Sequence, residues 1–320
     1  MSHPSFSVVV RNLKTVYRVE KGFLKAVDGV DLQIGKGAVL GLAGESACGK
    51  STLAYSILRL LPANGEIISG EAILNGKNLV KMSEDELREV RWKEMSIVFQ
   101  GSMNALNPCM NTANQIEEAI LAHEKITKEE AEARTIKLLR EVGISEKFTE
   151  SFPHELSGGM KQRVMIAMAL ACEPKFLIAD EPTTALDLIA QRNILKVLKE
   201  VQERMHLSVL LISHDLSVVA QMSDQVAIMY AGKIVEVGDI ISIFHNGLHP
   251  YTRALINAFP DIRSNKKISG IPGDPPNLIN PPPGCRFHPR CPYATLECKN
   301  LEPLLEETEE GNYVACHLNK

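Results

Sequence analysis

The stretch Gly44-Glu45-Ser46-Ala47-Cys48-Gly49-Lys50-Ser51 constrains this chain more than any other. It follows the apolar run Ala38–Ala43 and leads into Ser51–Leu58, so the sequence predicts a buried strand, a tight loop and a helix in succession. Glycines at both ends let the backbone wrap an anion with its N–H groups turned inward. The N-terminus of the following helix adds partial positive charge at the same place. Lys50 supplies a full charge for the β- and γ-phosphates of a nucleotide, and the Ser51 hydroxyl suits Mg²⁺. A chain built on such a P-loop is expected to be α/β.

The other patterns agree. Lys175–Asp180 and Ser208–Ser213 are continuous apolar runs separated by a helical pattern over Ile189–Met205, as in parallel strands covered on both faces. Met95–Phe99 reads as a further short buried strand ending at Gln100. Ser7–Leu13 and Val27–Ile34 alternate like strands, and between them Tyr17–Phe23 reads as a polar loop. Its two aromatics could stack on a nucleotide base or pack at an edge. Gly65–Gly76 reads as a hairpin turning at Asn75-Gly76, and Val226–Val237 as another. Ser83 opens one capped helix, and Thr127 opens another within a stretch, 101 to about 171, that reads as helical. Asp239–Phe259 is again helical, and Ile271–Gly284, rich in Pro and Gly, reads as a linker or small irregular domain that does not extend the sheet.

The 320 residues suffice for one large domain and a smaller one. A net charge of −4 gives no reason to expect nucleic acid as a partner. Apolar runs such as Val209–Ile212 are too short to span a bilayer, and Met1–Ser7 lacks the basic and apolar regions of a secretion signal. Any membrane role is therefore expected to be peripheral, at the cytoplasmic face. Seven cysteines in such a chain argue against a disulfide framework.

Two further stretches carry chemistry. Asp180 ends a buried strand, where a carboxylate can hold Mg²⁺ through water, and Glu181 can polarise an attacking water as general base. Ser157-Gly158-Gly159 precedes the apolar helix Val164–Ala171 and forms a second anion-binding helix N-terminus. One nucleotide does not need two such sites, so the second is expected to serve a nucleotide held by another subunit.

With these residues together, nearly all of 1–245 resembles an ATP-binding cassette (ABC) ATPase. The resemblance implies a RecA-like mixed-sheet core, an antiparallel β subdomain and a helical subdomain at about 101–171. It assigns nucleotide contacts to Gly44 through Thr52, with Tyr17 in the position of the base-stacking aromatic. Gln100 matches the lid glutamine, Leu156–Met160 the signature, Ala185-Leu186-Asp187 the dimer-contact loop and His214 the switch histidine. Catalysis would then fall to Lys50, Gln100, Glu181 and His214, and Mg²⁺ to Ser51, Gln100 and Asp180; Ser157, Gly158 and Gly159 would meet the partner's ATP. Ala47 and Cys48 depart from the commoner Gly/Ser, but it is their backbone N–H groups that bind. A thiol at Cys48, near a helix N-terminus and beside Lys50, is expected to be either an activated thiolate or a small filler.

Residues 246–320 narrow the resemblance. Leu248–Leu255 and Asn280–Pro292 resemble the C-terminal extension of oligopeptide and dipeptide importer ATPases. That implies two transmembrane permease subunits, a second ABC ATPase subunit (a heterodimer in the complex, a homodimer possible in isolation) and an extracellular solute-binding protein. Gly101–Pro108 would receive the permease's coupling helices, or is an ordinary surface loop. Cys285, Cys291, Cys298 and Cys316 sit in a segment with little apolar content of its own, and five and six residues separate the first three. The resemblance implies a [4Fe–4S] cluster on these four. Zinc and four unrelated buried thiols are the alternatives, with His249, His288 and His317 as substitute ligands. The expected function is ATP hydrolysis driving peptide uptake. The alternatives are a soluble ABC ATPase of translation or DNA repair, and an importer of the same family carrying sugars or metal chelates.

Overall fold

The computed structural model describes residues 6–101, 105–258, 270–308 and 312–319. They form two compact units interleaved in sequence.

One unit comprises Ile34–Val39 and the described residues of Lys81–Ile212, together with residues 6–8. Its centre is a parallel sheet of Met95–Val98, Phe176–Asp180 and Ser208–Ile212, in register at Ile97, Ile178 and Leu210. Every residue of the latter two strands is buried, which explains their uninterrupted apolar sequence. Helix Leu188–Met205 buries Ile194, Leu195, Val197, Leu198 and Val201.

The stretch from 101 to 171 resolves into helices Thr112–His123, Lys128–Glu141 and Gly158–Ala169, with the short 3₁₀ turns Glu146–Phe148 and Pro153–Glu155 between the last two. Each helix begins at an N-cap. Thr127 accepts from the Glu130 N–H at 3.2 Å and Glu130 accepts from the Thr127 N–H at 2.8 Å, the expected capping box. Ser83 and Glu86 repeat it at helix Glu84–Val90. Residues 102–104, within the expected permease-contact stretch, lie outside the described residues.

The other unit comprises Val9–Gln33, Leu40–Val80 and Ser213–Lys320. Strands Phe6–Val19 and Gly22–Gly35 are joined by a two-residue turn, Glu20-Lys21, so the expected loop Tyr17–Phe23 is mostly strand. Val16, Tyr17 and Val19 are β-branched or aromatic and carry the strand on to the turn. Gly65–Leu74 adds a third strand, which turns at Asn75-Gly76 into Lys77–Asn78.

In the same unit, Leu40–Ala43 pairs in parallel with strand Gln225–Tyr230, which pairs antiparallel with Lys233–Asp239. Ile271–Gly284 carries no helix or strand, as expected. Residues beyond it do return to the sheet: Tyr313–Val314 pairs with Lys233–Asp239, and Glu306–Glu307 pairs beyond it. Without them the strand Lys233–Asp239 would present an open row of backbone donors and acceptors. Nor is the tail left to a core of its own. Leu278 and Phe287 join Val226, Ile228, Tyr230, Ile243 and Tyr251 in one buried cluster. The rings of Tyr230 and Tyr251 lie 4.5 Å apart, and Phe287 meets Tyr230 edge-on at 5.2 Å. An ion pair between Arg286 and Asp28 ties the same segment to the first hairpin.

Buried polar groups orient Tyr251. The fully buried Glu236 carboxylate accepts from the N–H groups of Leu248 (2.7 Å) and His249 (2.9 Å). His249 caps helix Pro250–Asn257, its Nδ1 accepting the Tyr251 N–H at 3.0 Å. Burial holds this imidazole neutral, with its pKa pushed down to about 3. Among the described residues no helix is long and apolar enough to cross a membrane.

Candidate active site

The P-loop joins strand Val39–Ala43 to helix Lys50–Leu58, as the sequence predicts. Both flanking glycines are required. Gly44 has φ +154° and a Cβ there would lie 2.1 Å from the Met229 carbonyl; Gly49 has φ +112° and a Cβ would lie 2.2 Å from the Ala26 carbonyl. Lys50 is 7% exposed, and its Nζ donates to the carbonyls of Gly44 (2.7 Å) and Glu45 (3.0 Å). The ammonium is thus folded over the mouth of its own loop. Ser51 and Thr52 follow on the first turn of the helix. Tyr17 projects from its strand to this turn, its hydroxyl 3.2 Å from the Thr52 hydroxyl.

At Cys48 the structure favours one of the two expected readings. The residue is 5% exposed, and burial raises its pKa despite the opposing pull of Lys50, whose Nζ lies 3.8 Å from the sulphur. Desolvation outweighs the helix end and the lysine, so the thiol is a filler rather than an activated nucleophile. We expect iodoacetamide to label exposed Cys109 well before Cys48, and peptide mapping by mass spectrometry of the folded protein checks this. Prior labelling of Cys48 would restore the activated reading.

In the unit containing the parallel sheet, Asp180 ends strand Phe176–Asp180 with no exposed surface. Glu181 follows with φ +51°, its N–H donating to the Ile212 carbonyl at 2.9 Å and its Oε2 accepting from the Thr184 hydroxyl at 3.0 Å. The left-handed backbone turns the Glu181 side chain away from the line of the strand, so adjacent carboxylates face different surroundings. Gln100 is exposed two residues beyond Met95–Val98. Ser157 is the N-cap of Gly158–Ala169, its hydroxyl accepting the Met160 N–H at 3.3 Å. Gly159 packs close to Ala190, where a Cβ would sit 3.4 Å from the alanine methyl. Asp187 caps Leu188–Met205 by accepting from the N–H groups of Ile189 (3.0 Å) and Ala190 (2.9 Å), and leaves Leu188 and Ile189 among the most exposed apolar side chains.

In the P-loop's own unit, His214 is exposed just past Ser213, whose N–H donates to the Leu42 carbonyl at 3.4 Å. That bond ties the histidine's segment to the strand that feeds the P-loop.

Two contacts with this loop carry no sequence signal. The Glu45 N–H donates to the Tyr251 hydroxyl at 2.8 Å, and the Arg290 guanidinium grips both Glu45 carboxylate oxygens, at 2.6 and 2.9 Å. Both partners lie more than 200 positions away, in the tail, where the sequence offers only aromatic and basic residues around Pro and Cys.

None of the four tail cysteines is in a disulfide. Burial pushes the Cys285 thiol up to about 11, and the neighbouring thiols of Cys316, Cys298 and Cys291 push the same way. Burial likewise raises Cys291 and Cys316, again with neighbouring thiols contributing. The four are therefore within one another's electrostatic reach. Among the described residues, however, no three His, Cys, Asp or Glu side chains are placed to hold a single metal ion. Neither the expected [4Fe–4S] cluster nor the zinc alternative has support from this geometry.

Comparison with known proteins follows the same outline. Residues 27–184 match the ABC transporter family model, and residues 235–298 match that of the oligopeptide/dipeptide transporter C-terminal region. The dipeptide transport ATP-binding protein DppD of Caldanaerobacter subterraneus subsp. tengcongensis is 42% identical over 98% of this chain and 97% of its own. The oligopeptide transport ATP-binding protein OppD of Bacillus subtilis is 44% identical over 95% of this chain and 87% of its own. Among solved structures, the ATP-binding cassette MJ0796, a dimer in a post-hydrolysis state with ADP and Pi, has a TM-score of 0.66 at 28% identity, over 73% of this chain and 98% of its own. Likeness of this extent to transporter subunits sets aside the alternative of a translation or repair ATPase. The chain belongs to the ATP-binding cassette family, as an ATPase of the ABC transporter type that carries the oligopeptide/dipeptide transporter C-terminal region.

Proposed function

We propose that the chain is the ATP-hydrolysing subunit of an importer for di- and oligopeptides, bound peripherally to two permease subunits and paired with a second ABC ATPase. The observation that carries this reading is likeness to peptide-transport ATPases along 95–98% of the chain, tail included. The solute would be delivered by an extracellular binding protein. The test is reconstitution with the permease subunits and binding protein in liposomes. Di- and oligopeptides are expected to stimulate ATP hydrolysis and to accumulate; stimulation by sugars or metal chelates alone would overturn the assignment of solute.

In this reading Lys50 and the N–H groups of the P-loop hold the phosphates, and Tyr17 stacks on the base. Water attacks the γ-phosphorus, Glu181 takes its proton, and ADP leaves. Gln100 and His214 orient the γ-phosphate, and Ser157, Gly158 and Gly159 meet the nucleotide held by the partner subunit. Mg²⁺, when bound, neutralises phosphate charge; the oxygen donors of Ser51, Gln100 and Asp180 suit it. The proposed division is a cassette over 1–245, with its helical subdomain at about 101–171, and an extension over 246–320.

We further infer that Cys285, Cys291, Cys298 and Cys316 hold a [4Fe–4S] cluster with a structural role. What supports the reading is the match of residues 235–298 to the oligopeptide/dipeptide transporter C-terminal region and the suitability of four thiolates as ligands of such a cluster. Protein purified without oxygen is expected to be brown with about four irons per chain, and Cys291→Ser to bleach it while ATP binding persists. Colourless protein, or stoichiometric zinc, would count against the cluster.

A further inference from the structure

We propose that Arg290 of the C-terminal extension is a positioning residue of the nucleotide site: its guanidinium neutralises and ties back the Glu45 carboxylate, which the P-loop would otherwise present to a triphosphate. The proposal rests on the reading of Gly44–Ser51 as the loop that holds ATP.

Glu45 is the second residue of that loop, and a free carboxylate there repels an anionic ligand. All of its polar handles are engaged. The Lys50 ammonium donates to its carbonyl at 3.0 Å, its N–H donates to the Tyr251 hydroxyl at 2.8 Å, and Arg290 takes both carboxylate oxygens. Two of these three restraints come from the tail.

The guanidinium is itself fully committed. Besides Glu45, Nη1 reaches the Tyr230 hydroxyl at 3.3 Å, Nη2 the Ile271 carbonyl at 3.2 Å and Nε the Pro272 carbonyl at 2.8 Å. Each of the five N–H donors of an arginine therefore has an acceptor. The Arg290 side chain is 5% exposed and that of Glu45 23%. Bidentate geometry and partial exclusion of water make this pair far stronger than a surface ion pair. A lysine could supply the charge but neither the fork nor the carbonyl contacts. The tail thus contributes charge balance and a fixed orientation to the loop, without touching the nucleotide.

The experiment is titration of the full-length protein with a fluorescent ATP analogue, comparing the parent with Arg290→Gln, Glu45→Gln and the double variant. Arg290→Gln frees the carboxylate, and affinity is expected to fall about tenfold. The double variant removes the carboxylate as well, leaves the backbone groups of the loop in place, and is expected to regain most of the affinity that Arg290→Gln loses. A purely structural role for Arg290 would show no such rescue. Parent-like affinity in Arg290→Gln would overturn the proposal, as would a double variant as weak as the single. Should Arg290→Gln fail to fold, Arg290→Lys takes its place, since a lysine keeps a charge but not the fork: a loss of affinity that Glu45→Gln restores supports the proposal, and parent-like affinity or an unrestored loss overturns it. Lys50→Ala is measured alongside. Undiminished ATP binding in that variant would overturn the nucleotide reading itself, a failure distinct from that of the clamp.

Discussion

Glu181→Gln is expected to bind ATP as the parent does and to hydrolyse it at least about a hundredfold more slowly. The substitution keeps the volume, and an amide still offers an oxygen to the Thr184 hydroxyl that now donates to Oε2 at 3.0 Å. The left-handed backbone at φ +51° is no harder for Gln than for Glu. What is lost is the basicity of the carboxylate, which in the proposed mechanism takes the proton of the attacking water. Retained binding with lost turnover separates a base from a mere packing residue, because a packing defect would lower stability and affinity together. The same variant should accumulate as an ATP-bound dimer, visible as a shift in sedimentation when ATP is added. Hydrolysis at near the parental rate would remove Glu181 from the mechanism.

Ser157→Arg carries the second large effect. Ser157 caps Gly158–Ala169, and the substitution replaces a small acceptor by a long cation at an exposed helix N-terminus. The cap loss costs on the order of 1 kcal/mol, tolerable in a unit centred on a fully buried parallel sheet. ATP bound at the chain's own P-loop should be little affected. Hydrolysis in the assembled complex should fall by about tenfold or more, since Ser157 and its neighbouring N–H groups would face the γ-phosphate held by the other subunit. Measuring nucleotide affinity on the isolated chain and turnover on the complex separates the two. Full turnover in the complex would dissolve the idea of a site shared across subunits.

Much of the site was legible because its chemistry is local. A phosphate-binding loop needs glycines, a lysine and a hydroxyl within a few consecutive residues, and the strand before it and helix after it announce themselves by period. The same holds for Asp180 and Glu181 at the end of a strand buried on both faces, and for the capping boxes at Ser83 and Thr127, whose partners Glu86 and Glu130 lie one helical turn on. The strand, loop and helix around Lys50, the place of Asp180 and Glu181 at the end of a buried strand, the helix start at Ser157 and the outline of the sheet were therefore available to a reader of the sequence alone.

Tertiary structure decided what depends on distant partners. Whether Cys48 is reactive turned on desolvation, which no neighbour in sequence reports and which outweighs Lys50 two positions away. The fate of the tail turned on the edge of Lys233–Asp239 and on a ring cluster assembled from Tyr230, Tyr251 and Phe287. A segment poor in apolar residues looked unable to stand by itself, and it does not have to, because it completes a core begun elsewhere. Above all, the grip of Arg290 on Glu45 spans 245 positions. Local periodicity cannot encode such a pairing; it exists only once the sheet has brought the tail against the loop, since a charge pair acts through distance in space and not along the chain.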